Sequence, residues 1–115
     1  MACEMPHSYD LSLTHDSGYE VAITVNPGLD VARQLTLDLS VCKSGRPFDG
    51  TLQVDANMPA HGHGMNFTPE VSSHSNGRFS ADGFMFHMPG VWQIQVELYE
   101  EGSKTRLSQE VEVGL

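Results

Sequence analysis

"VWQIQVELY", residues 91–99, decides the fold. Trp92, Ile94, Val96 and Leu98 fall on one side of this stretch, and Gln93, Gln95 and Glu97 fall on the other. Alternation with a period of two is the signature of a β-strand with one face on a core and the other in water. Trp92 is therefore read as a core residue.

The same period recurs on both sides of it. Upstream, Tyr9, Leu11 and Leu13 alternate with Asp10, Ser12 and Thr14. The turn "HDSGY" (15–19) leads to Val21, Ile23 and Val25, a strand ended by Pro27-Gly28. Leu35, Leu37, Leu39 and Val41 form a third strand, whose opposite parity puts Cys42 off the core face. "KSGRPFDG" (43–50) makes a turn before Leu52, Val54, Ala56 and Met58. Residues 59–77 read as irregular. "RFSADGFMFHM" (78–88) reads as a strand with a bulge at Asp82-Gly83. Downstream, Glu100, Glu101 and Gly102 open a turn to a last strand carrying Leu107, Val111 and Val113. About seven short strands with short turns, and no stretch of helical periodicity, predict an all-β, immunoglobulin-like antiparallel sandwich. Both cysteines precede Trp92, so the inter-sheet bridge of antibody domains is not expected. The 115 residues fit a single domain, 1–115.

Fifteen acids against six bases give a formal charge of −9. Such a surface attracts cations and excludes nucleic acid as a partner, because phosphate binding needs a basic face. No apolar run approaches the roughly 20 residues that span a bilayer. There is no G-x-S-x-G elbow and no phosphate-binding loop, so the chain is not expected to be an enzyme.

Cys3 and Cys42 carry the compartment argument, and three readings stand side by side. A disulfide would tie the N-terminal segment over the outside of a sheet and would imply an oxidising compartment. If Met1 and Ala2 are leader remnants, Cys3 could instead carry a lipid anchor. The third reading is two unpaired thiols in a cytosolic protein.

Chemistry concentrates in two stretches, "NMPAHGHGMNF" (57–67) and "GFMFHMPGVW" (83–92). Thioether sulfur is a soft ligand and imidazole a borderline one, a pairing that suits Cu(I) better than magnesium or calcium. His61 and His63 are two apart, so on an extended stretch they would share a face. Gly62 and Gly64 would let the backbone bend Met65 toward them. If Phe84, Phe86 and Met88 keep the inward register of Trp92, then Met85 and His87 point the other way. Met58 follows the inward parity of its own strand. The candidate copper ligands are thus His61, His63, Met65, Met85 and His87. The competing reading makes 58–65 a rigid glycine-rich corner of a metal-free structural or protein-interaction module, its histidines bonded to backbone groups. His7, His15 and His74 are read as surface or turn residues.

"MPAHGHGM" (58–65), followed by Pro69, "GRF" (77–79) and "FHMPGVWQIQVEL" (86–98), resembles the YtkA-like domain, related to the FixH-like proteins. The likeness runs from about Tyr19 to the end, and its core is Met58-Pro59 through Met65 with Met88, Gly90 and Trp92. It implies a small exported or membrane-anchored β-sandwich, in some cases a lipoprotein, in a periplasmic or extracytoplasmic location. It also implies protein partners in copper handling or respiratory-complex assembly. A second, partial likeness is to periplasmic copper chaperones of the PCu(A)C type, which use a His-Met pair, a later Met and then His-x-Met. Met65 and His87 resemble its middle spacing, but residues 53 and 54 are Gln-Val and methionine falls at Met88 rather than two after His87. No ligand is carried over from it.

Overall fold

The computed structural model describes residues 2–65 and 67–114, with His63 described in its backbone only. Among the described residues there are ten strands: β1 (Leu11–Thr14), β2 (Tyr19–Asn26), β3 (Leu35–Lys43), β4 (Arg46–Pro47), β5 (Thr51–Met58), β6 (His63–Gly64), β7 (Glu70–Ser73), β8 (Arg78–Phe84), β9 (Gly90–Glu100) and β10 (Ser103–Val113). One sheet runs β1-β2-β3-β8-β7, with β4 also paired to β3, and the other runs β10-β9-β5-β6; all these strand pairs are antiparallel. With β2, β3, β8 and β7 taken as strands A, B, E and D, and β5, β9 and β10 as C, F and G, this is the immunoglobulin order. The all-β sandwich expected from the alternation is therefore the observed architecture.

The inward parities meet between the sheets. Val21, Ile23, Leu37, Leu39, Ala81, Phe84, Trp92, Ile94 and Val96 are among the residues sealed in the core. Phe84, Phe86 and Trp92 form an edge-to-face chain, with centroids 5.3 and 5.1 Å apart, the arrangement that ring quadrupoles favour. The bulge lies where the glycine foretold it. Leu35 pairs with Phe84 but Leu37 with Ala81, so Asp82 and Gly83 together oppose Thr36. Gly83 takes φ +77°, where a side chain would be strained. Thr36 Oγ1 donates to Asp82 across the gap at 2.9 Å.

The stretch 59–77 corrects the irregular reading. It holds β6 and β7, the latter paired to β8 through Glu70–Ser73. The only apolar residue of β7, Val71, is half-buried, too little alternation to mark a strand.

Cys3 and Cys42 form a disulfide, with Cα atoms 5.9 Å apart, within the range such bonds span. Cys42 occupies an outward position of β3, as its parity requires, yet it is buried because the N-terminal segment lies over it. Cys3 N–H donates to Gly45 O at 2.9 Å and holds that segment in place. Near this end, Tyr19 Oη donates to Glu100 Oε1 at 2.6 Å and Lys43 Nζ donates to the same oxygen at 3.0 Å, linking the two sheets. The Tyr19 hydrogen bond first, and then Lys43, hold the Glu100 carboxyl below its usual range.

On the outer face of β9, Glu97 accepts from Arg106 Nη2 at 2.8 Å and Lys104 Nζ at 3.1 Å, with Tyr99 Oη donating at 3.1 Å. Arg106 first, then Lys104, lower its pKa from an ordinary 4.5 to about 2. A depressed carboxyl contributes stability above its unfolded value that is lost as pH falls through its folded value. Urea unfolding of wild type and Glu97→Gln should therefore differ at pH 6, with the gap closing between about 4.5 and 2. A gap independent of pH over that window would mean the ion pairs contribute nothing.

Candidate functional site

The loops carrying the Met/His stretches meet at one end of the sandwich, opposite the disulfide. β5 runs to Met58 at this end and β9 sets out from it, and Asn57 pairs with Gln93 across the two strands. Met58 is buried in the core. Its Cε lies so close to Gly90 that a Cβ there would fall 2.8 Å away, at φ +135°. Gly90 thus lets the methionine methyl pass beneath the start of β9.

A tight turn follows Met58, whose carbonyl accepts from His61 N–H at 3.1 Å and Gly62 N–H at 2.9 Å. Gly62 takes φ +66°. His61 is exposed on this turn, and the chain then returns as β6, with His63 opposite Met58 and Gly64 opposite Asn57. The two histidines are therefore divided between a turn and a strand, so the extended stretch on which they were expected to share a face is not formed. The expected role of the His63 imidazole falls outside the described residues. Across the sheet, the backbone of His63 stands two strand spacings, roughly 10 Å, from that of β9. Met65 is half-buried and packs on the core.

The second stretch follows its expected parity. Phe84 and Phe86 are buried, while Met85 and His87 on the other parity are half-buried. The His87 ring stands edge-on to Trp92 with centroids 5.3 Å apart and planes at 82°, and its Nδ1 is shielded from solvent. Met88 is half-buried against the core, and its carbonyl accepts from Trp92 Nε1 at 2.9 Å. Trp92 thus props the loop that carries His87 and Met88. His15 and His74 are exposed and bonded locally, to Ser17 and Ser80, as surface residues should be.

Sequence reasoning missed a third wall of this end. The loop between β2 and β3 lies along the second stretch: Val31 bridges Phe86, and Ala32 N–H donates to Phe86 O at 2.7 Å. Residues 27 and 28 were legible only as a strand terminator, and nothing in a Pro-Gly turn says where the loop beyond it packs. Phe67 and Val91, both large and exposed, belong to the two stretches themselves.

Chemically, this end offers thioethers and imidazoles. Among the described residues, no three His, Cys, Asp or Glu side chains gather as they would for a hard or borderline ion. Met65, Met85 and Met88 are half-buried at the same end, so a metal held here would draw on sulfur as well as nitrogen. A family model described as YtkA-like matches residues 14–97. No curated protein and no solved structure matches the chain.

Proposed function

The chain belongs to the YtkA-like family, and from that premise we propose that it is an exported copper-binding protein. It holds copper through His61 and His63 with Met65, Met85 or His87, and buffers the ion or passes it to a partner in copper handling or respiratory-complex assembly. One observation carries this reading: the turn after β5 and the loop before β9 converge on the same end of the sandwich, joined through Met58, Gly90 and Trp92. That convergence puts soft and borderline donors of two separate stretches on neighbouring loops. The net charge of −9 favours cation capture. The Cys3–Cys42 bond fits an oxidising, periplasmic or extracytoplasmic compartment. A sulfur engaged in that bond carries no lipid, so a membrane anchor on Cys3 and the disulfide are alternatives that intact mass distinguishes.

Cu(I) titration against a competing chelator tests the reading. The His61→Ala, His63→Ala double variant should bind at least tenfold more weakly, a loss of about 1.4 kcal/mol or more. Copper at about a hundred times its dissociation constant should stabilise the wild type by about 2.7 kcal/mol and the variant by less. Equal affinity in a folded variant removes copper from this end. The exposed Phe67 and Val91 would then favour the second reading, a metal-free protein-interaction module.

A further inference from the structure

A second group of soft atoms lies at the other end of the molecule. The N-terminal segment carries Cys3 and Met5 over the outer face of β3, and Met5 Sδ lies 3.7 Å from Cys42 Sγ. With the disulfide partner Cys3, that makes three sulfur atoms in one cluster. Cys42 is only 3% exposed, while Cys3 and Met5 are half-buried, so the cluster is sheltered but open on one side.

The segment does not depend on the disulfide alone. Cys3 N–H bonds to Gly45 O, and Asp10 N–H donates to Ile23 O at 2.8 Å. Asp10 Oδ2 in turn accepts from Val25 N–H at 2.7 Å. Opening the S–S bond therefore leaves Cys3 and Met5 tethered on both sides above Cys42.

We propose that the reduced form of this cluster is a Cu(I) site made of the Cys3 and Cys42 thiolates and the Met5 thioether. A dithiol reductant opens the bond: its two thiols become its own disulfide, and their two hydrogens leave Cys3 and Cys42 as thiols. Cu(I) then displaces both protons to solvent and leaves a three-coordinate, all-sulfur centre. Soft sulfur donors select Cu(I) over magnesium and calcium. Among the described residues, no group of three His, Cys, Asp or Glu side chains competes for a harder ion. The bond between Cys3 and Cys42 is the gate: oxidised, the cluster has no thiolate to offer; reduced, it has two.

The site shares no residue with the His/Met loops, so the two proposals stand or fall separately. The test is anaerobic Cu(I) titration of the whole chain against a competing chelator. One sample is oxidised, and the other is reduced with a dithiol and desalted. The reduced protein should take up one more Cu(I) per chain than the oxidised protein. Cys42→Ser should lose that extra ion under either condition. Met5→Leu, which keeps both cysteines, should hold it at least tenfold more weakly. Equal uptake before and after reduction overturns the proposal, as does an extra ion that Cys42→Ser retains or that Met5→Leu binds as tightly as wild type. Loss of native Trp92 fluorescence on reduction overturns it too, because the site requires the folded strand beneath it.

Discussion

Trp92→Ala should lower the unfolding free energy by about 3–5 kcal/mol, the usual cost of emptying a large buried aromatic site. Trp92 is fully buried, meets Phe86 at 5.1 Å and His87 at 5.3 Å, and donates its indole hydrogen to Met88 O at 2.9 Å. Truncation therefore leaves a cavity, breaks an aromatic chain and orphans a carbonyl. Domains of this size have about 5–15 kcal/mol in all, so the loss is a large share of the total. Trp92→Phe separates the contributions. It keeps much of the aromatic volume but removes the donor, and should cost less than half as much. Urea midpoints, with the slope checked for constancy, measure both. If Trp92→Ala costs under 1 kcal/mol, the Phe84–Phe86–Trp92 packing is not what holds this end together. Copper retention should fall with it, because His87 and Met88 lean on the lost ring.

The architecture was legible because its signals are local. Alternation in "VWQIQVELY" and its counterparts fixes which face each residue shows, whatever the strand pairs with. Gly83 marked the bulge because only glycine adopts that φ easily. The outward parity of Cys42 suited a bond to a covering segment, one of three readings open for the cysteines, and the structure supplies it. What was not legible depends on contacts distant in sequence. β7 offers one half-buried valine and forms because β8 presents an unpaired edge. The turn at 59–62 closes on the Met58 carbonyl, which overrides the extended geometry that two histidines one residue apart imply. Met5 drew no attention because its neighbour, Cys42, lies 37 residues on. The loop that bridges Phe86 gave no sign for the same reason.

Cys3→Ser should cost about 4 kcal/mol, as much as Trp92→Ala, although it removes no core packing. The bond spans 39 residues of chain, and closing a loop of that size restricts the unfolded ensemble by roughly 4 kcal/mol in the chain-entropy model. The two losses should look different in denaturant. Trp92→Ala acts on the folded state and should shift the midpoint at an unchanged slope. Cys3→Ser frees the unfolded chain to expand, exposes more surface on unfolding and should raise the slope as well. A lowered midpoint with no change of slope would place the effect in the folded state, in the lost covering over Cys42. The His/Met end lies beyond the start of β3, and the 9 residues of that strand, about 30 Å of extended chain, put it out of reach of a local change at Cys3. Copper affinity at that end should therefore be the same in Cys3→Ser as in the oxidised wild type. A matching loss of copper there would mean that the N-terminal covering, through β3, sets the geometry of the loops that β3 and β5 carry.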